Sequence, residues 1–475
     1  MAMRWRALAP MTILALAASS CAAEMVQTQP PPPPPACSVS TAPLPSSDAT
    51  VTVDVSRHFQ TIDGFGITQR LFDDPHLTNT FDQVTQRGAI IIPADQQAAI
   101  LRALFTDIGL SRLRYATDPF IEPVNDNADP AVTDLSKFNF TWKGGDGHIA
   151  LVNAARPFGL TKWWGSPIGA GEAWMGPTDV AEYVEWALAI IRHWNAAGTP
   201  LAYWSIFNEP GYFQGSTTRS GQFIRDAIKA IGPVLVTEGI STRIVIPDDI
   251  TPAEALSRAT VILADPAARQ YVAAIATHVY NGPNQQPNTA SLAQLSALAA
   301  QYSLPLWMTE WYSADWFTWA NSMHTLLSDY NVSAIDYLWG FFGEWQGLGP
   351  QLITIQGTGS LYGGFFRTKM FWAMGQYSAY VRPGTVRVAA DAPSTALRVS
   401  AYFDGAKVVV VALNVGNSPQ AVRVELGAGI PCVRSLTATR TSAVESGALL
   451  TPVTLDAPHF VTTLPGMSIT TLIAQ

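Results

Sequence analysis

Residues 179–210, DVAEYVEWALAIIRHWNAAGTPLAYWSIFNEP, hold one complete helix-to-strand unit. Across 179–197 apolar residues recur at three- and four-residue spacing, so one face of the helix is buried; Thr178 can cap its start and Gly198 can end it. The pattern then changes to a short apolar run at 202–207, which reads as a buried strand and stops at Asn208-Glu209-Pro210. Working outward, the same alternation continues for about 320 residues. The strand candidates are 62–67, 111–116, 160–165, 202–207, 243–247, 273–279, 305–309 and 334–341. Amphipathic segments lie among them at 95–108, 147–157, 179–197, 219–231, 290–302, 315–329 and 366–380. Strands that alternate with helices form a parallel sheet, and eight of them can close it, so the expected fold class is α/β with a (β/α)8 barrel spanning 61–384. An open doubly wound sheet is the alternative.

Beyond Arg382-Pro383-Gly384 the helical spacing ends, and residues 385–475 read as short alternating strands at 397–402, 407–413, 420–426, 433–439 and 468–473, a β-sandwich. Val51-Thr52-Val53-Asp54-Val55 alternates in the same way and has no helix after it, so the segment 50–60 is expected to join that sandwich as an N-terminal strand. The chain begins as an export signal, 1–20, with Arg4 and Arg6 before an apolar stretch from Ala7 to Ala18. Ala18-Ser19-Ser20-Cys21 has the small residues of a lipoprotein processing site, with Cys21 as the lipidated residue, although Ala18 stands where Leu is usual. Pro30 to Pro35, inside the linker 21–49, would form an extended spacer of roughly 20 Å. The expected location is a lipid-anchored membrane, periplasmic or cell-surface one, or else secretion. Cys37 and Cys432 then remain as a disulfide or as two thiols.

Lys and Arg number 28 against 36 Asp and Glu, a net charge of −8, and no basic run occurs. Nucleic acid is therefore excluded as a partner, and a membrane enters only through the lipid anchor. The 15 Trp and 14 Tyr exceed what a core needs, and their faces suit sugar rings. Barrel enzymes carry their chemistry at the C-terminal ends of the strands. Strand four ends in Glu209, and strand seven, Leu304-Pro305-Leu306-Trp307-Met308-Thr309, ends in Glu310. Two glutamates on opposite sides of one barrel mouth are what double displacement at a sugar acetal requires, one attacking while the other protonates the leaving oxygen, at a separation near 5–5.5 Å.

The chain resembles glycoside hydrolase family 30, within the clan of barrel glycosidases whose catalytic carboxylates stand on strands four and seven. The resemblance rests on Ile62-Asp63-Gly64-Phe65-Gly66, Trp164-Gly165-Ser166-Pro167 with Trp174-Met175, Ser205-Ile206-Phe207-Asn208-Glu209-Pro210, His278-Val279-Tyr280, Trp307-Met308-Thr309-Glu310-Trp311, the run from Gly375 to Gly384 and Leu464-Pro465-Gly466-Met467-Ser468, in the family's order from about residue 51 onward. It implies a barrel fused to a sandwich built from both chain ends, with Glu209 as acid/base, Glu310 as nucleophile, and Asn208 bonded to the sugar 2-hydroxyl. The loops at Ile168-Gly169-Ala170-Gly171-Glu172-Ala173 and Ile67-Thr68-Gln69-Arg70 depart from the family's commoner pattern, which leaves the substrate open.

Either His278 or Tyr280, at the end of strand six, is expected to support the nucleophile, a Tyr hydroxyl donating to Glu310 being one form of that support. Trp339 suits a platform beneath the sugar, Trp164 a wall of the same pocket, and Trp311 a further substrate contact; core packing is the other reading of Trp339 and Trp164. Arg112 and Arg114 alternate with Leu113 and can both face the barrel interior, and Arg114 is the one assigned to a catalytic carboxylate. Asp118 and Glu344 lie just past strand ends, where loop solvation accounts for them. No cofactor or metal is expected, since of seven His only His278 lies at a strand end. The expected activity is a monomeric retaining β-glycoside hydrolase acting on carbohydrate, an extracellular xylan or β-1,6-linked glucan or galactan. A glucosylceramidase-type exo-glycosidase and a non-catalytic glycan-binding lipoprotein are the alternatives.

Overall fold

The computed structural model describes residues 46–69, 92–117, 121–141, 145–168, 172–212, 219–281, 286–313, 315–343, 351–358, 361–427, 429–430, 433–454 and 459–475. Strand β1, Ala49–Thr61, precedes the barrel. The barrel strands are β2 Gly64–Gln69, β3 Arg112–Thr117, β4 Lys162–Pro167, β5 Tyr203–Ser205, β6 Arg243–Asp249, β7 Val272–His278, β8 Leu306–Glu310 and β9 Val332–Leu338. All neighbours are parallel, and β9 pairs with β2 to close the ring, so the barrel reading holds and the open sheet falls. Each strand lies within a few residues of its expected place.

Helices α1 Ala94–Arg102, α2 Asp146–Ala155, α3 Val180–Ala196, α4 Gly221–Thr237, α5 Pro252–Ala264, α6 Pro266–Arg269, α7 Leu292–Gln301, α8 Trp316–His324 and α9 Lys369–Ser378 surround the ring. Helix α4 runs six residues past its expected end, through Pro233. Helix α5 was not among the expected segments, though Thr251 caps it by accepting from Glu254 N–H and Pro252 occupies its first turn. A small sheet also joins the sequence-based picture: β10 Phe341–Gly343, β11 Ile353–Thr358 and β12 Leu361–Arg367.

Inside the ring, Trp164, Val245, Ala274, Ala276, Trp307 and Ala334 form a buried plug. Beside them Arg112 and Asp336 make a bidentate pair, 3.0 Å for each bond, with the guanidinium 4.2 Å from the Trp307 ring centre. Gly66 makes room for this pair: a Cβ there would stand 2.3 Å from Asp336 Oδ1 and 2.5 Å from Arg112 Cβ.

The remaining strands are β13 Val386–Asp391, β14 Leu397–Phe403, β15 Val408–Asn414, β16 Gln420–Leu426, β17 Ser435–Thr441, β18 Ala448–Leu449, β19 Val453–Thr454, β20 His459–Leu464 and β21 Ser468–Ala474. With β1 they form one continuous ten-stranded sheet instead of two separate ones. It curls so that alternate residues of distant strands, among them Val53, Val410, Val424 and Leu472, share one apolar core. Strand β1 joins this sheet, as expected of 51–55, and lies between β13, antiparallel, and β16, parallel. Helices α8 and α9 join barrel to sheet: Arg398 bonds Asn321, Thr325 and Asp329, and Thr471 Oγ1 donates to the Gln376 carbonyl at 2.6 Å.

The expectations placed on Cys21, Pro30 to Pro35, Cys37, Cys432, Asp118 and Glu344 lie outside the described residues. Among the described residues, no helix is long and apolar enough to cross a membrane.

Candidate active site

Strand β5 is short, and the chain leaves it through Ile206-Phe207-Asn208 into Glu209, whose φ is +49°. A left-handed backbone at a non-glycine residue costs about 1–3 kcal/mol and persists only where neighbours fix it. Here Asn208 N–H donates to the Pro167 carbonyl at 2.7 Å, and Glu209 N–H to the Asp248 carbonyl at 2.9 Å, so the turn is tied to the strands on both sides. Asp248 and Trp339, at the ends of β6 and β9, are left-handed too, with φ +62° and +64°. Asp249 holds the chain behind Glu209, accepting from Gly211 N–H at 3.2 Å and from Arg258 at 2.8 Å.

Glu310 ends β8 and accepts two hydrogen bonds, one from Tyr280 Oη to Oε1 and one from Arg114 Nη1 to Oε2, each 2.8 Å. Burial, then the Glu310 charge, raise the Tyr280 phenol well above its usual range, so it stays a donor. Burial works against the Arg114 charge, but Asp248 and Glu310 outweigh it and hold the guanidinium firmly protonated. Arg114 also donates to Asp248, to Ser166 and to the Asn208 side-chain oxygen, which leaves the Asn208 amide nitrogen as the group able to donate elsewhere.

His278 ends β7 fully buried, with Nδ1 2.8 Å from Glu209 Oε1 and Nε2 3.4 Å from Asp248 Oδ1, the latter an ion-pair distance and long for a hydrogen bond. Burial disfavours its charge, but Glu310, Asp248 and Glu209 overcome that and raise its pKa to about 10. Asp248 is held well below the usual carboxylate range; burial opposes this, and the charges of Arg114 and His278 with the bond from Ser166 prevail. One oxygen each of Glu209 and Glu310 and one His278 nitrogen lie within 4.8 Å of one another. Such a set is compact enough for a cation, and the protein supplies the positive charge itself through Arg114.

The structure therefore brings together Glu209, Glu310, Asn208, Tyr280, His278 and Arg114. Of the two candidates for supporting the nucleophile, Tyr280 reaches Glu310 and His278 turns to Glu209. Trp339 lies at the mouth, stacked on Phe342 at 5.1 Å beside Tyr280 and Tyr312. Trp164 does not wall the pocket: it is fully buried in the barrel plug, level with Arg114 across the strand pair, and Ser166, two residues on, is what reaches the site. Trp311 is corrected likewise. Alternation from Glu310 turns it away from the mouth, and it packs 1% exposed with its ring centre 5.8 Å from that of Trp319 on α8. Arg112 serves the Asp336 pair instead of a catalytic acid. The sequence reading missed Asp248, Ser166 and Thr309. For Asp248 a signal existed, since Ile246-Pro247-Asp248-Asp249 carries an apolar strand into two acids, as strands four and seven run into theirs.

No protein-family model matches the chain. Among curated relatives, "Putative glucosylceramidase 2" of Caenorhabditis elegans is 24% identical over 420 residues, 76% of each chain. "Glucuronoxylanase XynC" of Bacillus subtilis (strain 168) is 28% identical over 294 residues, 58% of this chain and 62% of that one. Among solved structures, the catalytic domain of GH30 xylanase C from Talaromyces cellulolyticus superposes with a TM-score of 0.69 at 21% identity, over 90% of this chain and all of that one.

Proposed function

We propose that this chain, an O-glycosyl hydrolase of the family 30 kind, is a retaining β-glycosidase in which Glu310 is the nucleophile and Glu209 the acid/base. The observation that carries the reading is the unequal treatment of two neighbouring carboxylates. Glu310 takes a cationic and a phenolic donor, one on each oxygen, so both oxygens are held as acceptors. Glu209 faces His278 through Oε1 and has its other oxygen for the cleft. Their oxygens approach within 4.8 Å, which supports the closer spacing of retaining enzymes over the roughly 6.5–9.5 Å that leaves room for water in inverting ones.

In the first step a Glu310 oxygen attacks the anomeric carbon, the bond to the leaving oxygen breaks, and Glu209 gives that oxygen its proton. Asn208, oriented by Arg114, can donate to the sugar 2-hydroxyl as positive charge develops on the ring. Glu209, now ionised, takes a proton from water in the second step, and the hydroxide displaces Glu310 with a second inversion, so the β configuration returns. Proton NMR of the first-formed sugar tests this, and an α-anomer appearing first would refute it. A mechanism-based fluoro-sugar should label Glu310, as peptide mass spectrometry would read.

The substrate we favour is an extracellular polysaccharide, a xylan or a β-1,6-linked glucan or galactan. The similarity to a protein named glucuronoxylanase supports it, as does the aromatic cluster of Trp339, Phe342 and Tyr312 at the mouth. An exo-acting glucosylceramidase type is the second reading, supported by a relative of that name that aligns over 76% of both chains. Release of oligosaccharides from xylan or β-1,6-glucan, against glucose from glucosylceramide, separates the two, and release of any sugar excludes a non-catalytic binder. Anchoring through Cys21 fits such a role; a Cys21→Ser variant should leave the membrane fraction, and a wild type found wholly in soluble fractions would end that idea.

A further inference from the structure

Asp248 takes part in none of those steps, yet four side chains converge on it. It is fully buried, with φ +62°. Oδ2 accepts from Arg114 at 2.8 Å and from Ser166 at 2.6 Å; Oδ1 accepts from Thr309 at 2.6 Å and faces His278 Nε2 at 3.4 Å. Its carbonyl holds the Glu209 N–H. Asp248 thus touches both catalytic carboxylates at one remove, Glu310 through Arg114 and Glu209 through His278.

The His278 ring has a carboxylate at each nitrogen. A neutral imidazole carries one N–H and one lone pair, so either tautomer would aim a lone pair at an acid; a proton on Glu209 Oε1 could meet that lone pair, but with the Glu209 proton on Oε2 only the imidazolium satisfies both. When Nδ1–H donates to Glu209 Oε1, that oxygen is an acceptor, and the proton Glu209 needs as an acid is left on Oε2. The charges then balance. Glu310 and Asp248 are negative, Arg114 and His278 positive, and the sum is zero with Glu209 protonated.

We propose that Asp248 is a positioning residue for the acid step: it holds His278 as the imidazolium, and through that ring keeps the Glu209 proton on Oε2, toward the leaving oxygen. The inference rests on the reading of Glu209 as acid/base. The charged and titratable groups around Glu209 are His278 from β7, Tyr280 just beyond it, Arg114 from β3, Asp248 from β6 and Glu310 from β8. The neighbouring Asp249 is offset by Arg258. Without the Asp248 charge the set carries one surplus positive charge, which is relieved when Glu209 and His278 share a single proton in the contact between Oε1 and Nδ1.

The test is Asp248→Asn, which keeps the shape and removes the charge. Aryl β-glycosides of an accepted sugar, with leaving groups from dinitrophenol to phenol, should show a loss in kcat/KM that grows from a few-fold to about 10²-fold, since only poor leaving groups need the acid. The alkaline limb of the pH profile should move to lower pH, because the Asp248 contact helps keep the proton on His278 and its loss makes the imidazolium easier to deprotonate. Nitrogen-15 NMR of the wild-type ring should find both His278 nitrogens protonated at pH 7. A loss equal for all leaving groups with an unmoved limb would reduce Asp248 to a structural role, and a neutral wild-type ring would overturn the proposal even where the variant fails to fold. A sugar label on a carboxylate other than Glu310 would instead sink the assignment of Glu310 as nucleophile and leave the ring result standing.

Discussion

Arg112 and Arg114 stand two residues apart on β3, both 1% exposed, both charged and both paired with carboxylates. The first meets a single acid, Asp336, through two parallel bonds, and the Trp307 ring covers its face. The second divides its donors among Asp248, Glu310, Ser166 and Asn208. One layer of the barrel closes its charge on itself; the next, at the strand ends, divides one cation between two acids, of which Asp248 is fully buried and Glu310 keeps 14% exposure. Burial and pairing alone therefore do not separate the two arginines. What separates them is that one acid of Arg114, Glu310, keeps partial exposure.

Replacing each arginine by methionine should separate the two layers. Arg114→Met should lower kcat/KM by about 10²–10³-fold, the scale of losing one preorganised electrostatic contact at a reacting group, and circular dichroism should show the fold retained at low temperature. Arg112→Met leaves Asp336 as a lone buried charge and should cost about 3–5 kcal/mol in urea unfolding, while the folded fraction turns over like wild type. Changing Asp336 to Leu as well should recover most of that loss, because a buried ion pair and an apolar pair of similar volume are often near equal in stability. An Arg112→Met protein that folds fully and is inactive would erase the distinction. A smaller effect should come from Tyr280→Phe, which removes one neutral donor from the Glu310 carboxyl, worth about 1.5–3 kcal/mol. It should appear in kcat with stability nearly unchanged, since the Arg114 bond still satisfies Glu310.

The layering also explains what the sequence could tell. Glu209 and Glu310 were legible because each follows an apolar strand directly, and chain order puts those strands on opposite sides of the ring. Tyr280 was legible, beside His278, from its place at a strand end, and Arg114, beside Arg112, through alternation, which names the inward-facing residues. Trp164 and Trp311 were misread because a core tryptophan and a sugar platform have the same local signature; the register with Arg114 in one case, and the flip of face after Glu310 in the other, decide between them. Asp248 escaped because its role depends on partners from β3, β4, β7 and β8, none of them near in sequence. The continuous curled sheet was hidden for a related reason: alternation shows that a strand has one buried face, and does not show which strands pair.

A second pair of residues sharpens the comparison with the smallest effect. His324, like His278, is a buried histidine, but it ends α8 at the seam between barrel and sheet, and its Nδ1 has no hydrogen-bond partner. At the mouth three acids surround the ring; at the seam the charged neighbours are Arg398 and Arg387. Burial, then those two cations, lower the His324 pKa to about 3. The two linkages have opposite signs. His278, with a folded pKa near 10 against an unfolded value near 6.5, contributes stability that is present below about pH 6.5 and lost as pH rises toward 10. His324 is neutral in the folded chain, so it contributes nothing unfavourable above pH 6.5, and below that the unfolded chain gains by taking up a proton the folded chain refuses. At pH 5.5, one unit under the unfolded value, this amounts to about 1.4 kcal/mol. His324→Phe, which keeps a ring without titrating, should make the change in urea stability between pH 7.5 and 5.5 more favourable than that of the wild type by that amount. An unchanged acid slope in the variant would mean that His324 titrates freely, and that the two arginines do not reach it as the seam's geometry requires.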